Sequence, residues 1–298
     1  MKGERRDVGA SVRARLLDQS RKEQSDFQLL LTRYVLERLL YRLSVSEYRH
    51  RFILKGALLL SVWVGDHYRP TRDLDLLGYG DTRPEELTNA FRAICAEAVI
   101  EDGVVFDIDR LQAEPIREDA EYGGVRIQTT ATVAGARIPV QVDVGFGDAI
   151  TPAPVEVEYP VLLDFPAPHL RAYPVDTIIA EKLEALVVLG IANSRLKDYY
   201  NLFLISRTFA VEQQRLAEAV QRTFERRGTV IPDDIPVGLT NAFAVAWQTR
   251  WRGFLGRERM LAIPDDLQLV VTSVRDFVLP VLRAANERLQ WPPGGPWS

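Results

Sequence analysis

The sequence predicts an α+β protein, in which a mixed β-sheet with packed helices precedes a helical C-terminal half. Apolar residues recur at helical spacing before residue 50 and again from about 174 to the end. Between about 103 and 145 the pattern changes to strict alternation, with β-branched residues broken by glycine pairs. A proline-rich stretch separates the halves, so we predict an α/β domain with N-terminal helices over 1–165 and a helical domain over 166–298.

The first half has a clear order of elements. "SDFQLLLTRYVLERLLYRLSVSEY" predicts a helix capped by Ser25. "RFILK" predicts a strand that runs through Gly56 into the short apolar helix of "ALLLSVWVGD", and "LDLL" predicts the next strand. A helix over 84–99 opens with Pro84. Three hairpin-connected strands follow in "VVFDIDRLQAE", "GGVRIQTTATVAG" and "ARIPVQVDVGFG".

The second half is predicted to be helical almost throughout. We expect helices over about 174–190, 195–207, 211–227, 239–255 and 265–290. The terminal "WPPGGPWS" is rich in proline and glycine, so we expect a loose tail.

Composition excludes several classes of protein. The chain has 298 residues, one cysteine and a net charge of −4, which argues against a disulfide framework and a protein that coats nucleic acid indiscriminately. It begins with a charged segment and has no apolar run of the roughly 20 residues that span a bilayer, so we expect a cytoplasmic protein with no membrane partner. Local clusters of arginine could be solvated helix faces or phosphate contacts: Arg5, Arg6, Arg13, Arg15 and Arg21; Arg42, Arg49 and Arg51; Arg222, Arg226 and Arg227.

Two aspartates interrupt a strand that otherwise reads as buried. In "RPTRDLDLLGYGD", alternation places Asp73 and Asp75 on one side and the leucines on the other. Two carboxylates this close repel each other unless a cation lies between them, and Mg²⁺ is the common oxygen-seeking partner. The alternative is a solvated strand end with Arg69 or Arg72 as counterion.

Two further features fit a site for a nucleoside triphosphate. Gly56 lies between a strand and a helix, where the backbone can approach a phosphate and the helix N–H groups can bind it. Asp143 interrupts the alternation of "IPVQVDVGFGD" on the face opposite the valines. Each feature also has an ordinary structural explanation: Gly56 could simply be a turn glycine, and Asp143 could simply be an exposed aspartate.

Together these elements follow the order of the nucleotidyltransferase superfamily typified by DNA polymerase β. The run from "FILKGALLL" to "RDLDLLGYGD", with "AYPVDTIIAEKLEALVVLGIANSRLKDYYNLFLI", resembles the AbiEii/AbiGii family of nucleotidyltransferase toxins from type IV toxin–antitoxin and abortive-infection systems. The resemblance covers roughly residues 25 to 206 and implies a nucleotidyltransferase core in the sheet. One departure is Ala57, where the superfamily often has a serine whose hydroxyl contacts phosphate.

The resemblance assigns roles to individual residues. Two Mg²⁺ ions would be held by Asp73, Asp75 and Asp143. The same residues would catalyse the transfer of a nucleoside monophosphate from an NTP, with release of pyrophosphate. The backbone at Gly56 and Ala57, with Lys182 and Arg195, would hold the phosphates. Asp198 would lie beside the metal or position Lys182. Helical spacing alone leaves simpler explanations open, namely a boundary lysine paired with Glu184 or a neighbouring carboxylate, and an ordinary helix-start aspartate.

The acceptor is indicated by resemblance only. The resemblance implies that the acceptor is an RNA, with the 3′ end of tRNA as first choice, and that the transfer blocks translation. The resemblance also implies an antitoxin encoded nearby. A protein or small-molecule acceptor is the alternative within the same chemistry. An inactive RNA-binding module is an alternative of another class, which the intact set of charged residues disfavours. The preferred NTP is not indicated.

Overall fold

The computed structural model describes residues 7–64, 71–116, 123–258, 263–283 and 288–298. Contacts within these ranges divide the chain into two units. The first comprises the described parts of 1–63, 70–147 and 155–172, and the second those of 64–69, 148–154 and 173–298. The predicted boundary at 165/166 lies within the last segment of the first unit.

Two helices open the first unit, α1 (Val8–Glu23) and α2 (Phe27–Val45). α2 is the helix predicted from its apolar spacing, but its cap is Asp26, which accepts a hydrogen bond from the Leu29 N–H (2.8 Å), and not Ser25. More than one N-terminal helix was predicted, but no bounds were given for α1, because charged residues dilute its periodicity. It buries only a narrow stripe that includes Val12 and Leu16.

Eight strands of the described residues form one sheet. They are β1 (Phe52–Lys55), β2 (Asp73–Gly78), β3 (Val105–Phe106), β4 (Gln112–Ile116), β5 (Gly124–Val133), β6 (Ala136–Phe146), β7 (Val155–Glu158) and β8 (His169–Ala172). The order is β3-β5-β6-β2-β1-β8-β7, and β4 also pairs with β5. β2 is parallel to β6 and β1 to β8, while the other pairs are antiparallel. The predicted mixed sheet is confirmed, with α3 (Gly56–Val64) following β1 and α4 (Pro84–Ala96) following β2.

Two details of the sheet were predicted wrongly. The first of the three expected strands is split into β3 and β4, since the chain turns at Asp107, whose side chain accepts from the Arg110 N–H (3.2 Å). β7 and β8 lie in the proline-rich stretch, which was expected to be a connection. β8 pairs with β1 more than a hundred positions earlier, a partnership that no local pattern reveals.

The second unit contains the predicted helices, with ends displaced by a few residues. They are α5 (Val175–Leu189), α6 (Leu196–Thr208), α7 (Gln213–Arg226), α8 (Asn241–Glu258) and α9 (Leu267–Leu282). α9 ends before the predicted residue 290. No helix among the described residues has both the length and the apolar character needed to cross a membrane.

The C-terminal tail is ordered by its tryptophans, so the prediction of a loose tail was wrong. A two-stranded sheet joins β9 (Val211–Glu212) to β10 (Gln290–Trp291). The Trp291 indole is buried and donates to the Ser206 carbonyl (2.7 Å), and the Trp297 indole donates to the Phe277 carbonyl (2.9 Å). Aromatic burial outweighs the proline and glycine content here.

Candidate active site

Four charged residues occupy matching positions on four neighbouring strands of the first unit. β2 and β6 place Asp75 opposite Asp143, β1 places Lys55 opposite Asp75, and β5 places Arg126 opposite Asp143. Residues paired in this way project from the same face of a sheet. The result is a row across the sheet with a cation at each end and two carboxylates in the middle, which we call the charge row (Arg126, Asp143, Asp75 and Lys55).

Asp73 lies on the same face, one pleat from the charge row and opposite Gln141. The alternate residues Leu74, Leu76 and Val142 are buried, while Asp73 is exposed and Asp75 partly so. The sheet therefore brings together all three aspartates predicted to bind metal, on the predicted face. Their role as ligands stays a prediction.

Gly56 has a backbone conformation and a packing environment that exclude a side chain. Its φ is +73°, and a Cβ there would lie 2.6 Å from both Cβ and Cγ of Asp75. The turn between β1 and α3 thus packs against the Asp75 carboxylate, which places the first backbone N–H groups of α3 near it. Ala57, the next residue, is buried.

The three aspartates suit Mg²⁺ by donor chemistry, since hard cations prefer carboxylate oxygens. Among the described residues, no three His, Cys, Asp or Glu side chains form a ready-made metal cluster. Mg²⁺ sites of phosphate-transferring enzymes commonly use one or two carboxylates, with water and substrate phosphates as the remaining ligands. The residues fit such a shared site.

Asp143 has a close partner that the sequence did not indicate. Arg126 Nε lies 2.8 Å from Oδ1 of Asp143, and Nη2 lies 2.8 Å from Oδ2, so the guanidinium donates to both oxygens. Gln141 Nε2 lies at the limit of hydrogen-bond distance from Oδ2 (3.5 Å). The third predicted metal ligand is therefore held by a bidentate ion pair.

In the second unit, Lys182 of α5 and Asp198 of α6 form a buried ion pair. Nζ of Lys182 donates to Oδ1 of Asp198 (2.8 Å), and Nε of Arg195 lies 2.7 Å from Oδ2. The Asp198 side chain is fully buried. Burial opposes its ionisation, but Lys182 and then Arg195 outweigh burial and hold the pKa of Asp198 below its usual value.

Lys182 pairs with Asp198, a neighbouring carboxylate, and not with Glu184. Asp198 lies in the first turn of α6 and contacts two cations. The roles of both residues at a phosphate or metal stay predictions. The side chain of Arg195 is half exposed, and the buried Asn193 accepts a hydrogen bond from its backbone N–H (2.9 Å). Both cations predicted to bind phosphate, Lys182 and Arg195, thus contact one carboxylate.

Arg227 forms a second charged cluster in the same unit. Its guanidinium lies 2.8 Å from Glu184 Oε2, 3.4 Å from Glu181 Oε1 and 3.4 Å from Asp148 Oδ1. Thr229 donates to the other Glu184 oxygen (2.7 Å). Burial opposes the charge on Arg227, but the carboxylates, Glu181 first, outweigh it and raise the arginine's pKa above its usual value.

These contacts correct the prediction that two of the clustered arginines lie on a free surface. Arg42 is buried and paired with Asp102 (2.6 Å), and Arg227 belongs to the cluster above, so neither offers a free surface for phosphate. Arg49 lies 3.3 Å from Glu156. Arg5, Arg6 and the possible counterion Arg69 lie outside the described residues.

Sequence reasoning missed Arg126, and it assigned Arg227 to a surface cluster. Arg126 could have been found, because β5 and β6 join through Ala134 and Gly135, both at positive φ, and a two-residue hairpin there sets Arg126 opposite Asp143. Arg227 carries no comparable signal. Its partners come from α5 and from the loop containing Asp148, and helix packing alone brings them together.

Comparisons with known proteins show the family and a similar fold. The family model of the nucleotidyl transferase AbiEii toxin, type IV toxin–antitoxin system, matches residues 38–273. A crystal structure of a nucleotidyltransferase candidate from H. pylori is similar in fold, with 12% identity, a TM-score of 0.53, 88% of this chain covered and 100% of that one. JHP933 from Helicobacter pylori gives 12% identity and a TM-score of 0.47, over 87% of this chain and 93% of that one. The curated protein sequences contain no significant match.

Proposed function

Since the chain belongs to the AbiEii family of nucleotidyltransferase toxins, we propose that it transfers a nucleoside monophosphate from an NTP to RNA, with Mg²⁺ as cofactor. The 3′ end of tRNA is the proposed acceptor, and blocked translation is the proposed consequence. The observation that carries the proposal is the close packing of Gly56 on Asp75, with Asp73 and Asp143 on the same sheet face. This arrangement supports the proposal, because the turn that would bind phosphate lies beside an aspartate that shares its sheet face with two others.

Asp73, Asp75 and Asp143 would hold the metal. Two bound Mg²⁺ ions would neutralise the charge of the triphosphate and of the pyrophosphate, and they would lower the pKa of the attacking hydroxyl. The three side chains project from two parallel strands, whose backbone hydrogen bonds keep the carboxylates on one face. Asp143, on the strand beside Asp75, would orient the acceptor hydroxyl.

The triphosphate would be held by backbone and cations. The turn at Gly56 and Ala57 offers the N–H groups that start the nine-residue helix α3, a favourable site for an anion. Lys182 and Arg195 would supply positive charge. Asp198 holds Lys182 by direct contact, which supports a positioning role for Asp198.

The family's toxin–antitoxin system implies a cognate antitoxin. A cytoplasmic location stays a prediction. A protein or small-molecule acceptor is the alternative to RNA, and the assay below separates them.

The test is a labelled-NTP assay. Each α-³²P-labelled NTP is incubated with the protein and Mg²⁺ and with total RNA, with protein or without acceptor. We expect label from one preferred NTP in the tRNA band, and none after Asp75→Ala. Asp81→Ala is the matched control, since Asp81 is more exposed and pairs with Arg83 (2.6 Å) away from the charge row.

The outcomes separate the parts of the proposal. Label in protein or without RNA would overturn the RNA acceptor, and transfer by the Asp75→Ala variant at the wild-type rate would overturn the metal site. The toxin role is tested by expression without an antitoxin. Equal growth with wild type and Asp75→Ala would contradict it.

A further inference from the structure

Arg126 and the predicted metal compete for the same carboxylate. The guanidinium donates to both oxygens of Asp143 at 2.8 Å, the geometry of a strong bidentate pair. An ionised carboxylate has about four lone-pair sites, so the pair leaves some of them open. A divalent cation bound there would nevertheless lie beside a positive guanidinium, and the two would repel each other.

The local charge count supports this competition. The charge row has a cation at each end, Arg126 beside Asp143 and Lys55 opposite Asp75. Among the described residues, the charge row and Asp73 together hold three carboxylates and two cations, so the cations offset part of the negative charge that would attract a metal. Removing one cation therefore changes the charge of the site by a large fraction.

The exposure of the two partners shows that exchange is feasible. The Arg126 side chain is 41% exposed and that of Asp143 is 21% exposed. An arginine at this exposure can leave its partner for water or for an anionic substrate at small cost, because the guanidinium is already partly solvated. A fully buried pair, such as Arg42 with Asp102, would not allow this exchange.

We propose that Arg126 is a positioning residue that weakens divalent-cation binding at Asp143 until a substrate draws its guanidinium away. The proposal rests on the proposed function for the identity of the metal site. It assigns to Arg126 a role that none of the sequence motifs contains. In this role Arg126 orients the Asp143 carboxylate and sets the metal affinity of the substrate-free protein.

The test measures binding of Mn²⁺ alone, by electron paramagnetic resonance and calorimetry, without nucleotide or RNA. Arg126→Gln is expected to tighten Mn²⁺ binding about tenfold, because it removes the competing charge and keeps a polar side chain. Arg126→Lys keeps the charge but loses the bidentate geometry, so we expect a gain of about threefold. Arg137→Gln, an exposed arginine on β6 of the same sheet, is the control and should leave the affinity unchanged.

Asp143→Asn locates the effect. If Arg126 acts through Asp143, the gain from Arg126→Gln disappears in the double variant. Unchanged or weaker Mn²⁺ binding by Arg126→Gln would overturn the proposal, as would an equal gain with and without Asp143. Circular dichroism checks folding. If Arg126→Gln does not fold, the proposal is judged by Arg126→Lys, and unchanged or weaker Mn²⁺ binding by that variant would overturn it.

Failure of the proposed function would look different. A wild-type protein that binds Mn²⁺ through Asp75 but transfers no nucleotide would defeat the proposed function and leave the role of Arg126 intact. Transfer activity with no effect of Arg126 on Mn²⁺ binding would do the opposite.

Discussion

Lys182 and Asp198 lie 2.8 Å apart, on two successive helices of the second unit, and the carboxylate of the pair is fully buried. A charge buried this completely is tolerated only with close partners, and Asp198 has two, Lys182 and Arg195. The pair joins α5 to α6 and restrains a lysine that would otherwise sample many rotamers.

The first prediction concerns this pair. Asp198→Asn leaves two cations without their shared anion, so we expect a loss of about 3 kcal/mol in the free energy of unfolding. We also expect a large fall in kcat/KM for the NTP, since Lys182 is no longer held. Urea denaturation and steady-state kinetics measure the two effects, with the exposed Asp233→Asn as control. Full stability in Asp198→Asn would contradict the buried pair.

The second prediction separates backbone strain from contact at Gly56. Gly56→Ala introduces a side chain at φ +73° and drives its Cβ into Asp75, whereas Gly80→Ala meets a similar φ of +82° with nothing within 4 Å. Both should lose about 1 kcal/mol of stability from the left-handed conformation. We expect Gly56→Ala alone to lose Mn²⁺ binding and nucleotide transfer. Equal behaviour of the two variants would show that the contact with Asp75 is unimportant.

The third prediction concerns the cluster around Arg227. Arg227→Met leaves Asp148, Glu181 and Glu184 close together without their cation, so we expect a loss of about 3 kcal/mol. The control is Arg222→Met, which removes a 4.0 Å surface pair with Glu218 and should change stability by less than about 0.5 kcal/mol. Thermal and urea unfolding provide the measurement. Similar values for both variants would mean that the cluster contributes nothing specific.

The fourth prediction concerns pH and Glu37. Burial, only partly offset by Arg38 and the Leu162 N–H, raises the pKa of Glu37 from 4.5 to about 7. The folded protein then binds a proton that the unfolded chain has released between these pH values. This contribution to stability is fully present below pH 4.5 and is lost as the pH rises to about 7.

The measurement is the free energy of unfolding from pH 4.5 to 8 for wild type and Glu37→Gln. Glutamine cannot ionise, so the difference between the two proteins should change steadily up to about pH 7 and then level off. A pH-independent loss of stability caused by the substitution itself would not change the shape of this pH dependence. A difference that is constant over the whole range would show that Glu37 ionises normally in the folded protein.

Local patterns in the sequence predicted much of the fold and the sheet face on which the candidate aspartates lie. The alternation around Asp73 and Asp75 places both on the exposed side of a strand, because successive side chains of a strand point to opposite faces. Helical spacing likewise predicted α2 and the helices that carry Lys182 and Asp198. These features depend on neighbours within a few residues, so the sequence determines them directly.

Only the tertiary structure decided which groups meet. The pairing of β1 with β8, the burial of Trp291 and the contacts of Arg227 all join segments that are far apart in the chain. Charge neutralisation at Asp143 also depends on register, since a shift of one residue would turn Arg126 to the other face of the sheet. The sequence therefore determined the local elements and the aspartates, and long-range packing decided their partners, because such contacts leave no periodic signal in the chain.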